Sequence, residues 1–148
     1  MYKHVMMVYD GSVLSDKALN EGIALAKGAG AKMTLIYVVT PHHLLIGGTG
    51  NAPGVKRLER EYADKLTDEA RQMLDLARNR AAAAGVAVDM LLDHGTDPYE
   101  KIVEAARRLN CDVIVMATHG RRGIEALVVG SQTMKVLTHT TIPVLVVR

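Results

Sequence analysis

Five apolar runs alternate with helix-patterned segments along this chain, and that alternation restricts the fold more than any other feature. The runs are His4–Tyr9, Lys32–Val39, Val86–Leu92, Asp112–Met116 and Ile142–Val147. Each is short and nearly continuous in aliphatic residues, the pattern of a strand buried on both faces of a parallel sheet. Between them, Ser15–Lys27 sets Leu19, Ile23 and Ala26 on one helical face, with Ala18, Gly22 and Leu25 beside it. Lys56 to Ala84 carries a longer stripe of Leu58, Tyr62, Leu66, Ala70, Met73, Ala77 and Ala81. At 1.5 Å per residue this helix reaches roughly 40 Å, so one end is expected to stand clear of the sheet. Gly28 and Gly30 are expected to stop the first helix, and Gly85 the second. In Asp97-Pro98-Tyr99-Glu100, Asp97 suits a cap, Pro98 the first helical position, and Glu100 can reach back to the cap. That helix continues to Leu109, and a short one covers Ser131–Thr138. Such βαβ units predict an α/β fold: one domain over residues 1–148, with an open parallel five-stranded sheet and helices on both faces, Rossmann-like.

Composition narrows the function classes. The 148 residues suffice for one domain with a core, and an apolar content of 49% argues against disorder. A formal net charge of +2, with both signs interspersed, points to neither nucleic acid nor a membrane surface. Without Phe or Trp there are no such platforms for stacking single-stranded bases. The lone Cys111 excludes an internal disulfide and a cysteine-based zinc cluster, and reads as a small core residue. No run approaches the ~18 apolar residues of a membrane span, and MYKHVMMVYD lacks a signal-peptide pattern. A cytoplasmic protein is expected.

The stretch that carries chemistry is Ala117 to Thr133, ATHGRRGIEALVVGSQT. It is not a Walker loop, and Gly48-Thr49-Gly50 does not complete a dinucleotide fingerprint because Pro53 stands where its last glycine belongs. The glycines Gly120 and Gly130 bracket a loop between the fourth strand and a short helix. In open parallel sheets, ligands bind beyond the carboxyl ends of strands where the strand order reverses. If strands one and four are neighbours there, Asp10 faces this loop and its carboxylate can accept hydrogen bonds from ribose hydroxyls. The amides of Ser131, Gln132 and Thr133 are the first donors of the short helix, and with the Ser131 hydroxyl they suit a phosphate.

Together these residues resemble the universal stress protein family over essentially the whole chain. The resemblance rests on Asp10-Gly11-Ser12 after the first strand, His94-Gly95-Thr96-Asp97-Pro98, and Cys111 to Met116 running into Thr118-His119-Gly120. A closing Pro143-Val144-Leu145-Val146-Val147-Arg148 completes it. The ATP-binding branch carries G-x2-G-x9-G-[S/T]; here Ala117-Thr118-His119-Gly120 is followed by nine residues and then Gly130-Ser131. Three of those four positions match, and Ala117 replaces the first glycine, where alanine restricts positive φ. The resemblance implies a five-stranded sheet in the order 3-2-1-4-5 and ATP or AMP as ligand, with Mg²⁺ held through the phosphates. It places Val8 in the base pocket, Asp10 on the ribose and Val38 against adenine. Ala117, Thr118, His119, Gly120, Arg121, Arg122 and Gly123 would wrap ribose and phosphates, and Ser131, Gln132 and Thr133 would bind phosphate. It also implies a homodimer through strand five and an unidentified protein client.

Other candidates read as ordinary residues. His42-His43 point apart and lack a third metal ligand, and Glu59, Arg60, Glu61, Asp64 and Lys65 form a solvated helix face. No catalytic residue is predicted, since no carboxylate in the segment orients His119 and there is no Walker lysine. The functional expectation is a regulatory nucleotide binder of the stress response. The alternatives are a nucleotide-free dimeric interaction module or a slow ATPase. A Gly130→Val variant is expected to lose binding while staying folded.

Overall fold

A computed structural model describes residues 1–40, 52–120 and 129–148. Its elements in chain order are β1 (His4–Val8), α1 (Val13–Ala29), β2 (Lys32–Val39), α2 (Pro53–Ala83), β3 (Val88–His94), α3 (Pro98–Arg108), β4 (Val113–Ala117), α4 (Ser131–His139) and β5 (Val144–Val147). The strands form one parallel sheet in the order β3-β2-β1-β4-β5. This is the expected α/β architecture and the expected strand order.

The period of two along the central strands builds two cores. Val5 and Met7 of β1 pack with Leu19, Leu35, Leu74 and Val115 beneath α1 and α2. Met6 points the other way and packs with Ile36, Ile102, Ile114 and Val136 beneath α3 and α4. Both faces of β1 and β4 are therefore closed to water, which is why these strands read as unbroken apolar runs.

Several boundaries differ from expectation for identifiable reasons. Helix α1 runs through Gly28; Gly30 alone stops it, at φ 64° with its N–H directed to the last-turn carbonyls. Strand β3 begins at Val88 rather than Val86, because Val86 N closes the end of α2 on Ala81 O at 3.1 Å. Strand β5 begins at Val144; Pro143 contributes only its carbonyl, to Ile114 N at 2.9 Å. In α2 only Ala70, Leu74, Ala77 and Ala81 are buried. The proposed stripe thus holds in the second half alone, and Leu74 rather than Met73 is the deep contact. Leu58 is 53% exposed and Tyr62 37%, so the stripe is not buried in the first turns of α2. Asp97 occupies the N-cap position of α3 but makes no side-chain capping bond there. Its carboxylate lies 3.0 Å from Lys135 Nζ instead, and the Glu100 carboxylate meets the Tyr99 hydroxyl at 3.3 Å rather than the cap.

Candidate functional site

Parallel pairing puts every strand-to-helix loop at the same edge of the sheet, so residues far apart in sequence converge there. At this edge lies a cavity of about 680 Å³. Val8 and Asp10 reach it from β1, Val38 and Thr40 from β2, and Thr96 and Pro98 from the entrance to α3. Ala117 ends β4 and His119 and Gly120 follow it, and Gly130 to Thr133 open α4 along the remaining wall.

The neighbouring strands β1 and β4 bring Asp10 to the loop, as the switch-point argument requires. A Cβ built on Gly120 would lie 2.7 Å from Asp10 Oδ2, so the carboxylate sits against a glycine with no side chain between them. The carboxylate is held from its other oxygen, since Ser12 N donates to Asp10 Oδ1 at 2.9 Å. Ser12 also caps α1, accepting from Ser15 N at 3.1 Å, and the buried Ser15 hydroxyl donates to Ser12 O at 3.0 Å. The turn Asp10-Gly11-Ser12 therefore fixes both the helix start and the direction of the acid.

Gly130 is the N-cap of α4. Its N–H donates to Thr118 O at 2.6 Å, and a Cβ there would stand 2.9 Å from that same carbonyl. Backbone cannot step aside as a side-chain tip can, so Gly130 is required by close approach. Gly130→Val, expected to lose binding while staying folded, would therefore also lose stability, because valine pushes two backbone segments apart. The amides of Ser131, Gln132 and Thr133 precede the first helical bond, from Met134 N to Gly130 O at 3.0 Å, and open α4 on the cavity side. Among their side chains, Thr133 is buried with its hydroxyl donating to Ala117 O at 3.0 Å, and the Gln132 carbonyl accepts from Tyr99 N at 3.0 Å. What these two residues offer an anion is backbone.

Two expectations for the loop change. Ala117 lies inside β4, opposite Val147 of β5; among the described residues outside glycine only Asn110 has positive φ. Alanine at 117 therefore carries no backbone strain, and the concern over its φ falls away. Thr118 is buried and does not line the cavity: its N–H donates to Val147 O, and its hydroxyl lies 3.0 Å from His119 Nδ1. Arg121, Arg122 and Gly123 lie outside the described residues, as do His42, His43 and Gly48-Thr49-Gly50.

A model of the universal stress protein family matches residues 1–148. The chain belongs to that family. A universal stress protein of Thermus aquaticus is 33% identical over 148 residues, spanning the whole of both chains. One from Methanocaldococcus jannaschii is 28% identical over 156 residues, across 100% of this chain and 96% of its own. The solved structure of that protein superposes with a TM-score of 0.83 at 27% identity, covering 99% of this chain and 96% of the other. A universal stress protein solved in complex with cAMP is 25% identical, with a TM-score of 0.70 and coverage of 99% and 97%.

In this universal stress protein the cavity also has walls that sequence reasoning left out. Tyr9, Thr96, Ile102 and Met116 line it. Thr96 was legible in principle, since a loop after any strand of a parallel sheet shares the carboxyl edge. Tyr9 was hidden because it alternates with Asp10 and points toward α1. Its hydroxyl donates to Asp16 at 2.8 Å, and Asp16 is bound by Arg80 of α2 at 2.6 Å. Burial, reinforced by the Asp16 carboxylate, pushes the Tyr9 phenol up to about 12. Burial would raise Asp16 in turn, but the Tyr9 hydroxyl and Arg80 outweigh it and hold that carboxyl below its ordinary value. Tyr9 is thus a neutral pillar joining the end of β1 to α1 and α2.

Proposed function

We propose that this universal stress protein binds an adenine nucleotide, ATP or AMP, as a regulatory ligand in the crevice between β1 and β4. The observation that carries the reading is the meeting of Asp10 with Gly120 beside the leading amides of α4. A carboxylate suits a diol, and three amides at a helix start suit a phosphate, with the helix dipole adding ~0.3–1 kcal/mol. These two chemistries occur together in a nucleotide. The cAMP complex of a relative supports adenine as the base, with Val8 and Val38 as the apolar surfaces it would meet. The cavity has the size of an ordinary small-molecule site. In this reading His119 and Gly120 flank ribose and phosphates, Arg121, Arg122 and Gly123 continue that loop, and any Mg²⁺ is held through the phosphates.

The protein works as a cytoplasmic homodimer whose ligand alters shape or the choice of a protein client. Titration calorimetry of nucleotide-stripped protein should give saturable binding of ATP and AMP. Asp10→Asn, which removes a charged acceptor from two hydroxyls, should weaken it about 10–100-fold, the worth of a hydrogen bond to a charged group. No heat and no thermal shift at millimolar ATP would refute the reading.

A further inference from the structure

The first turns of α3 and α4 meet at the cavity wall through a set of polar side chains. Tyr99 is the second residue of α3, and its backbone N–H donates to the side chain of Gln132 from α4 at 3.0 Å. A backbone N–H only donates, so the oxygen of the Gln132 amide faces it. Since Asp97 makes no side-chain capping bond, α3 is capped from outside by Gln132. Lys135, three residues further along α4, holds the Asp97 carboxylate at 3.0 Å and lies 5.2 Å from the centre of the Tyr99 ring. His139, one turn on, stands 4.8 Å from that ring, centre to centre. Gln132, Lys135 and His139 thus share one face of α4 and engage α3 at successive levels.

This set matters because the other anchors of α4, the Gly130 N–H and Thr133 hydroxyl on the end of β4 and Val136 in the core, hold it against the sheet, while Gln132, Lys135 and His139 fix it against α3. Helix α4 is nine residues long, too short to be stable alone, and only Thr133 and Val136 are buried. Its leading amides must nevertheless face the cavity at a defined depth, because hydrogen bonds weaken beyond about 3.2 Å and when bent.

We propose that Gln132 is a positioning residue for the anion end of the crevice: its side chain, engaged on the Tyr99 amide, sets how α4 presents the backbone amides of Ser131, Gln132 and Thr133. The inference rests on the nucleotide reading above. The Gln132 side chain also hydrogen-bonds the Asp97 carboxylate, so Gln132→Met keeps length and bulk and removes both contacts, whereas Gln132→Glu keeps the acceptor for Tyr99 N and loses only the donor to Asp97.

The ligands to compare are AMP and adenosine, which differ only in the phosphate. In Gln132→Met, AMP affinity should fall about tenfold, while adenosine affinity stays within about twofold. Amide exchange at Tyr99 should accelerate in Gln132→Met and stay slow in Gln132→Glu. Equal losses for AMP and adenosine would overturn the proposal, since they mark general loosening. Unchanged AMP affinity despite fast Tyr99 exchange would overturn it too, because α4 would then keep its pose without this contact. Wild-type protein that binds neither ligand overturns the nucleotide reading and the positioning role with it. Adenosine binding without any gain from the phosphate in the wild type removes the positioning role alone.

Discussion

Gly130 has φ −58° and ψ 153°, a conformation open to any residue, yet no side chain fits there. Its constraint is the Thr118 carbonyl, 2.9 Å from where a Cβ would stand, so Gly130→Ala should destabilise by about 1–3 kcal/mol, as overpacking does. Urea denaturation checks this; an unchanged midpoint would mean that the two segments part without cost. Gly120 answers to a different neighbour, the end of the Asp10 side chain rather than backbone, so Gly120→Ala should cost less than Gly130→Ala, the loss being that of the Ser12 N–Asp10 contact a displaced carboxylate gives up. His4 is a second residue whose environment has a measurable consequence. It is buried, with Nε2 2.8 Å from the Thr34 hydroxyl and Nδ1 3.1 Å from Leu109 O. Burial, then the charge of Lys32, lowers its pKa below 6.5, against the Leu109 carbonyl, Asp112 and Asp89. The unfolded chain therefore binds this proton first as pH falls. The stability contribution is complete above 6.5 and is lost on acidification through that value toward the folded pKa. Denaturant midpoints should drop between about pH 7 and pH 5.5, and His4→Gln should flatten the drop. An equal drop in the variant would place its cause elsewhere.

At the scale of elements, α2 shows what periodicity can and cannot tell. The 3.6-residue stripe correctly marks a helix and its inward side, but the stripe is buried only from Ala70 onward. Leu74 is 1% exposed and Leu58 53%. Leu74→Ala should therefore cost about 2–5 kcal/mol, whereas Leu58→Ala should stay within about 0.5 kcal/mol. Similar losses from both, measured in urea, would mean that the first turns of α2 are covered in solution. The α3 start shows the complementary limit. Asp97-Pro98 marks a helix start correctly, yet the aspartate serves an ion pair and a glutamine from another helix takes over the capping. Local propensity names the position of a cap; which side chain fills it depends on charges that arrive through space.

For the whole molecule, the sheet order leaves β5 as an edge strand. Thr118 N donates to Val147 O and Ile114 N to Pro143 O, so odd-numbered residues of β5 turn their backbone toward β4. By the period of two, Val144 and Val146 turn theirs outward, and Leu145 on the same strand is 41% exposed. In the proposed homodimer a partner's β5 would occupy this edge. Val146→Pro removes an outward donor while sparing the β4 pairing, so it should shift light-scattering mass from dimer toward monomer. A monomeric wild-type protein would overturn the strand-five dimer. The order of apolar runs and helical stripes, read from the sequence alone, determined the α/β class, the five strands and the identity of the loop that follows β4. Those features depend on short-range periodicity and on turn residues adjacent in the chain. Tertiary structure alone decided that Ala117 is unstrained, that Thr118 turns away from the cavity and that Gln132 reaches Tyr99. Each of these is a contact between segments brought together by parallel pairing and helix packing, and its geometry leaves no periodic trace along the chain.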